Sequence, residues 1–292
     1  MIDLHMHTVN SDGTLTVEEI LKEAQRKNIS IISITDHNTI EAYHQIKKIN
    51  IKDFYAGRII YGVEVNCVFN GYRIELLGYD FANLNFLESW LKLNYCNEKE
   101  VAFRTREYEK LLNKMKDNGI VNNCSTSYDP KGKLPHTLVY NELKTNEQNK
   151  KYFSKEEWSD FSIFFRTATI DKNSLFYIDY SDILPTAKKV SAIIHEAGGK
   201  VFLAHAFSYN MDNHMRFIED LVKDKVIDGI EVFYSTFTNE QSKKLYDYCQ
   251  NNNLFMSGGS DFHVNRRGSS ELGNGFGNLN VPEDILKCWL NS

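Results

Sequence analysis

Met1-Ile2-Asp3-Leu4-His5-Met6-His7-Thr8-Val9-Asn10-Ser11-Asp12 opens the chain, and the reading of this stretch decides the rest. Its first four residues read as the start of a buried strand. His5 and His7 come next at period two, so an extended backbone turns both side chains to one face. Two imidazoles aimed the same way at a strand's carboxyl end can share one metal ion. Asp12 sits in the polar turn Asn10-Ser11-Asp12-Gly13, from which a carboxylate can reach the same cavity. Taken alone, His-x-His fits two ordinary histidines equally well, and the weight comes from the other strand ends of the chain.

Thr16-Val17-Glu18-Glu19 predicts a helix start, with Thr16 as cap, Glu19 at the capping-box position and Ile20, Leu21 and Ala24 on the apolar face. Residues 29–34 read as a second buried strand that delivers Thr35-Asp36-His37 at its carboxyl end. That end carries the chemistry in α/β barrels and open α/β sheets. His37 is therefore expected to join His5, His7 and Asp12, and Asp36 is either a ligand or a group that orients an imidazole. A helix over residues 39–49 comes next, with His44 on its surface. Residues 58–65 read as a third strand carrying Glu64, and residues 72–79 as a fourth carrying Glu75. A lone carboxylate in an apolar strand is costly to bury unless paired or metal-bound. A solvated edge explains one such residue; two in consecutive strands favour ligands.

Residues 84–183 lose the alternation of strand and helix. Residues 86–116 have helical periodicity and many charges, residues 122–133 form a polar loop with Pro130 and Gly132, and Phe161-Ser162-Ile163-Phe164-Phe165 is strongly apolar. This block reads as an insertion that divides the chain into residues 1–83, 84–183 and 184–292. His136 either reaches the cavity from it or is an exposed loop residue. Arg104 and Arg106 read as solvated, and Arg166, after an apolar run, as an anion-binding candidate. The alternation then resumes. A helix over residues 185–196 carries a structural His195 and closes at Gly198-Gly199. A strand over residues 200–205 ends on His205, and His214 reads as a surface residue. A strand over residues 227–233 carries Glu231, structural or cavity-lining. Beyond a helix over residues 239–251 comes Gly258-Gly259-Ser260-Asp261-Phe262-His263. Here Asp-x-His again sets two ligand types on one face, and the glycines admit a close backbone.

The bulk properties are consistent with this. The 292 residues are 42% hydrophobic and 25% charged, enough for a large core. A net charge of -5 argues against duplex DNA bound through a basic surface, but not against a small anionic substrate, because metal ions reverse the local sign. The five cysteines are scattered and in no CxxC pair, as expected of reduced thiols in a cytoplasmic protein. No signal peptide and no apolar run of the roughly 18 residues a membrane span needs is expected. His and carboxylate ligands without Cys suit Zn²⁺, Mn²⁺ or Fe²⁺, and nine candidates exceed one tetrahedral site, which implies two or three ions.

As a set, His5-Met6-His7 with Ser11-Asp12-Gly13, Thr35-Asp36-His37, Gly62-Val63-Glu64, Leu76-Leu77-Gly78-Tyr79, Leu203-Ala204-His205 and the Gly258 to His263 segment resemble the polymerase and histidinol phosphatase (PHP) family. The resemblance covers roughly residues 1–82 and 184–280. It implies an α/β fold, a distorted (β/α)7 TIM-like barrel with a trinuclear metal site. One metal would take His5, His7, Glu64 and Asp261; a second Glu64, Glu75 and His205; a third Asp12, His37 and His263. The Glu231 to Tyr234 segment and the mainly helical insertion look most like the subgroup acting on nucleoside 3',5'-bisphosphates and short RNA 5' ends. That subgroup bears Arg-Pro-His in the insertion, where this chain has Leu134-Pro135-His136. The family's usual His before Leu-Leu-Gly-Tyr is here Glu75, a harder donor that favours Mn²⁺ or Fe²⁺ over Zn²⁺.

The expected chemistry is metal-assisted hydrolysis of a phosphate monoester, with a bridging water's pKa lowered from about 15.7 towards 7. His205, His136 and Asp36 are the candidates for proton transfer. Arg266 and Arg267 would hold a second phosphate, or form a solvated basic turn. A histidinol phosphatase presents its substrate to the same metals. Amidohydrolases also open on His-x-His, but lack the Gly-Gly-Ser-Asp-Phe-His arrangement. A non-catalytic metal-binding module is the remaining alternative.

Overall fold

The computed structural model describes residues 1–129, 132–209, 211, 213–264 and 268–290. Pro130, Arg266 and Arg267 lie outside the described residues. In chain order the elements are β1 (Ile2–Asp3), α1 (Val17–Arg26), β2 (Ile31–Ile32), α2 (Glu41–Ile46), β3 (Arg58–Ile59), β4 (Gly62–Phe69), β5 (Tyr72–Tyr79), α3 (Leu84–Tyr95), α4 (Asn97–Asp117), α5 (Pro135–Leu143), α6 (Lys155–Ser159), α7 (Phe161–Ile170), α8 (Ala187–Glu196), β6 (Lys200–Leu203), α9 (His214–Lys223), β7 (Gly229–Tyr234), α10 (Asn239–Asn252) and β8 (Phe255–Gly259).

α1 forms as its sequence dictates. Thr16 and Glu19 exchange the reciprocal bonds of a capping box, and Val17, Ile20, Leu21 and Ala24, spaced by three and four, are buried. Full burial of Val17, Ile20 and Leu21 favours the fold by about 1.5–3 kcal/mol each.

The strands make two sheets. β1, β2 and β3 pair in parallel, and β4 to β8 form a second sheet in chain order. Where the resemblance implies a (β/α)7 barrel, the described strands therefore form no continuous closed one. The sheets meet through the isolated bridges His37–Glu64 and Met6–Phe262. The chain past β1 leans on β8 and the chain past it through Leu4 N to Gly258 O (3.1 Å) and Asp261 N to His5 O (2.8 Å). These short, interrupted ladders leave residues 4–7 and 33–37 outside regular strand, at the positions whose side chains turn inward.

The third strand read from the sequence divides into β3 and β4, and β4 runs on past Glu64 to Phe69. β4 and β5 form an antiparallel hairpin, with Asn66 opposite Glu75 and Glu64 opposite Leu77. Its turn, Asn70-Gly71, has φ of +51° and +80°, the left-handed pair that an Asn-Gly hairpin turn requires. β5 also pairs antiparallel with β6, whereas β6, β7 and β8 are parallel. Glu75 is thus not at a carboxyl end. It lies in the first half of the one reversed strand, which places it near the carboxyl ends of the others.

Apolar side chains gather in two clusters. The larger contains Ile2, Leu4, Ile34, Val63, Leu76, Leu203 and Ile230, and also takes in Leu84, Leu87 and Leu91 of α3. The smaller lies within residues 108–180 and includes Leu111, Met115, Val139, Phe164, Phe176 and Tyr180. Among the described residues no helix is long and apolar enough to cross a membrane.

Candidate metal centre

Five imidazoles and four carboxylates converge in one cavity. His5 and His7 leave the end of β1 side by side, with ring centroids 5.3 Å apart. Asp261 lies just past β8, and Gly259 is what brings it there: a Cβ on Gly259 would stand 2.3 Å from the His5 nitrogen and 2.4 Å from its Cβ. Three residues at strand ends in or beside the cavity hold left-handed backbones, Asn38 (φ +57°), His205 (φ +26°) and Asp261 (φ +52°). Such conformations are disfavoured for residues with a side chain and concentrate at functional sites.

The donor atoms fall into three overlapping groups: His5, His7, Glu64 and Asp261; His7, Asp12, His37 and His263; and His37, Glu64 and Glu75. In the first, His5 Nε2 is 3.2 Å from Glu64 Oε2 and 3.3 Å from Asp261 Oδ1, while His7 Nε2 is 3.3 and 3.1 Å from the same oxygens. In the second, Asp12 stands 3.6 Å from His7 Nδ1, 3.6 Å from His37 Nε2 and 3.3 Å from His263 Nε2. In the third, His37 Nδ1 is 3.2 Å from Glu64 Oε2 and 4.0 Å from Glu75 Oε1. His205 Nε2 joins this side at 2.9 Å from Glu64 Oε1 and 3.3 Å from Glu75 Oε2.

These spacings fit divalent cations. Ligand bonds of about 2.0–2.2 Å at tetrahedral angles separate donors by about 3.3–3.6 Å. The nitrogens left over point the same way. His7 Nδ1 and His37 Nδ1 are buried without a hydrogen-bond partner among the described residues, although a carboxylate oxygen lies near each. Beside the hydrogen bonds that His5, His7 and His205 make to Glu64 and Asp261, these two nitrogens keep lone pairs or protons that no described residue takes up.

Charge tells the same story. Burial works against charging His5, yet Glu64, Glu231 and Asp261 raise it well above the ordinary range. Against the same burial, hydrogen bonds to Asp261 and Glu64 lift His7 to about 10, and the bond to Glu64 lifts His205 to about 9. Burial opposes the charge of the carboxylates too, but the imidazoles hold Glu64 and Asp261 well below their usual range and Asp12 at about 2. Without a cation the cavity collects protons instead, which is how a pocket built for positive charge behaves.

Other residues hold the ligands. Glu231, left open between two roles by the sequence, is fully buried, accepts from His5 Nδ1 (2.9 Å) and from the His205 backbone N–H (2.7 Å), and so presents His5 Nε2 to the cavity. Tyr234 donates to Asp261 Oδ2 at 2.7 Å, leaving Oδ1 to face His5 and His7. Asp3 is buried and accepts from Ser260 N and Oγ and Gly273 N, which ties β1 to the segment bearing Asp261. An acidic residue inside an apolar run is the available signal for Glu231. Nothing in the local pattern marks Tyr234 or Asp3.

Four further candidates differ in their surroundings. Asp36 is outside the donor groups: its oxygens accept from Thr8 N, Thr8 Oγ1 and Ser11 Oγ, each at 2.7 Å, and hold the loop that carries Asp12. His136 is buried at the start of α5, not on an exposed loop, with Nδ1 3.2 Å from Glu107 and its ring against Phe164 and Phe165, outside the three donor groups. Arg166 is on the exposed face of α7. His205, read both as a ligand and as a proton-transfer group, has its Nε2 facing the carboxylates of Glu64 and Glu75. A cavity of about 440 Å³ lies between the end of β7, α10 and residues 278–280; Tyr234 is in its lining, but none of the nine clustered side chains is.

A family model, PHP domain, matches residues 3–168. The chain is 28% identical to a 5'-3' exoribonuclease of Haemophilus influenzae over 296 residues, 98% of this chain and 97% of that one. In fold it is similar to an amidohydrolase from Chromobacterium violaceum (TM-score 0.65, 21% identity, 97% and 92% of the two chains) and to a protein of Bifidobacterium adolescentis described as a metal-dependent phosphoesterase (TM-score 0.61, 20% identity, 98% and 93%). With its cluster of histidines and carboxylates, the chain belongs to the PHP domain family of phosphoesterases.

Proposed function

We propose that the protein is a metal-dependent hydrolase of phosphate monoesters whose substrate is a nucleoside 3',5'-bisphosphate or the 5' end of a short RNA. The observation that carries the reaction class is the sharing of Glu64 between donor groups, which suits two or three ions held side by side. Divalent cations bound there supply charge for the phosphoryl oxygens and lower the pKa of a coordinated water from about 15.7 towards 7. The chain's own residues do the rest. Glu231 and Tyr234 fix His5 and Asp261, and His5, His7 and Glu64 form a buried floor. The Asp12, His37 and His263 side chains, 55%, 23% and 29% exposed, form the open rim where a phosphate enters. The preference for a nucleotide or RNA end rests on the similarity to the exoribonuclease along nearly its whole length. The bridges at both junctions of the two sheets support reading them as one distorted, interrupted barrel.

The test is elemental analysis of the purified protein, then phosphate release with added Mn²⁺ from adenosine 3',5'-bisphosphate, 5'-phosphorylated RNA and histidinol phosphate. Two or three ions per chain and release from either of the first two are expected. Release from histidinol phosphate alone overturns the substrate, and bound metal without release from any ester overturns the enzyme in favour of a binding module.

A further inference from the structure

The β4–β5 hairpin carries Glu64 and Glu75, and the insertion grips it from turn to middle. Lys172 and Tyr177 donate to the carbonyls of Asn70 and Gly71 in the turn. Lys172 also lies over the Tyr72 ring, 4.4 Å from its centroid. Farther along, the two-residue period of β5 puts Arg73 on the same sheet face as Glu75. Arg73 donates through Nε (3.3 Å) and Nη2 (3.0 Å) to Asn66 Oδ1, and Asn66 is the cross-strand partner of Glu75. The Asn66 backbone N–H reaches Asn38 Oδ1 at 2.9 Å, and the Asn38 N–H reaches Glu64 O at 2.7 Å, beside His37.

On its other side Arg73 enters the insertion. Its guanidinium carbon lies 5.6 Å from the centroid of the Tyr180 ring and 5.9 Å from that of Phe103. Tyr180 donates to Glu107 Oε1 at 2.7 Å, and Glu107 faces His136 Nδ1 at 3.2 Å. Tyr180, Glu107 and His136 are all buried, and the hydrolytic reading uses none of them. A planar fork bonded through two nitrogens to Asn66 and packed beside the stacked Phe103 and Tyr180 rings is a rigid strut, which a lysine ammonium on a flexible stem reproduces only in part.

We infer that Arg73 is a positioning residue: it ties the hairpin to the buried Tyr180–Glu107–His136 chain and so holds Glu75 and His37 in place for the His37–Glu64–Glu75 group. The inference rests on the reading that the cluster binds divalent cations. Residues that orient metal ligands typically contribute about 10- to 100-fold to affinity. The sign of the effect separates a strut from a bystander: removing a mere nearby positive charge tightens cation binding, because repulsion is relieved.

The experiment is calorimetric titration of the metal-free full chain with Mn²⁺, for the parent protein and for Arg73→Met, Arg73→Lys and Tyr180→Phe, with thermal unfolding of each. Arg73→Met should weaken one class of sites about tenfold or more and leave the tightest class within about threefold. Arg73→Lys should recover part of the loss, and Tyr180→Phe, which keeps the charge but cuts the link to Glu107, should repeat it in the same class. Unchanged or tighter binding in Arg73→Met overturns the inference, as does Tyr180→Phe binding like the parent. Should Arg73→Met unfold below the assay temperature, the Tyr180→Phe titration decides alone. Failure of the parent itself to bind Mn²⁺ is a different result, which removes the metal reading and this inference with it.

Discussion

Glu231→Gln is the sharpest single perturbation of the centre, because it changes one oxygen for one amide group at a fully buried position. Glu231 accepts two hydrogen bonds, from His5 Nδ1 at 2.9 Å and from the His205 N–H at 2.7 Å. Glutamine has one carbonyl oxygen and so satisfies one of these donors; its NH₂ faces the other. The lost bond to a charged acceptor is worth about 1.5–3 kcal/mol, and a buried donor left unpaired costs a further 1–3 kcal/mol or so. Part of this strain is relieved by rotation of the His5 ring, which withdraws Nε2 from Glu64 and Asp261. The affinity of the His5–His7–Glu64–Asp261 group for Mn²⁺ should then fall about 10- to 100-fold, the usual consequence of removing the partner of a ligating imidazole. Calorimetric titration of the metal-free protein measures this directly, and circular dichroism confirms that the fold persists. Parent-like affinity in a folded Glu231→Gln variant would refute the claim that Glu231 presents His5 to a cation.

Tyr234→Phe removes the donor to Asp261 Oδ2 without disturbing packing, so Mn²⁺ affinity should drop by about 10-fold, less than in Glu231→Gln; an equal or larger drop contradicts the ranking. Gly259→Ala drives a methyl into the His5 backbone and should cost about 3 kcal/mol in a urea unfolding experiment, whereas a change below about 1 kcal/mol means the strands relax apart. The metal-free protein should lose stability at high pH. His7 and His205 are raised from 6.5 to about 10 and about 9, so their contribution is complete below pH 6.5 and is lost as pH rises through 9 to 10. Asp12, lowered from 3.8 to about 2, contributes above pH 3.8 and loses its contribution as pH falls through about 2. A melting temperature of the chelator-treated protein that is flat from pH 6 to 10 would contradict this; with Mn²⁺ present the decline should shrink, because the ion takes the place of the protons.

Much of the centre is legible in the sequence because its ligands obey local rules. His5 and His7 obey the period of an extended chain, and His37, His205 and Asp261 sit where buried strands end. Glu64 and Glu75 stand out as carboxylates in apolar runs. What stays hidden depends on contacts between distant segments. Asp36 has the right neighbours in sequence for a ligand, but three donors from Thr8 and Ser11 claim its oxygens, and no periodicity reports that. His136 reads as either a cavity residue or an exposed loop residue, yet Pro135 begins α5 at a position where its missing N–H costs nothing, and the helix turns His136 inward to Glu107. Asn70-Gly71 signals the hairpin, but reading β3 and β4 as one strand ends that strand at residue 65 and hides the reversal of β5.

That reversal and the carboxylate it delivers set the charge of the centre, and the charge limits how many ions it holds. With neutral imidazoles, Asp12, Glu64, Glu75 and Asp261, together with the buried Glu231 bonded to His5, give the centre a formal charge of 5 × (-1) = -5. Two divalent cations leave it at -1. A third leaves an excess of +1 in a partly buried space, which is unfavourable unless an anion accompanies it. A phosphate anion supplies that balance, so the third ion and the substrate's phosphoryl group should bind cooperatively, each raising the other's affinity by the same factor. A histidine in place of Glu75 would reduce the negative charge to -4 and make the third ion harder still to hold alone. Equilibrium dialysis against Mn²⁺ should therefore give about two ions per chain, rising towards three when inorganic phosphate is added. Glu75→Gln should require higher phosphate for the same rise. A full complement of three ions without phosphate, or no response to phosphate, would show that protons on the imidazoles or water in the cavity screen the excess charge, and that the count of carboxylates does not govern occupancy.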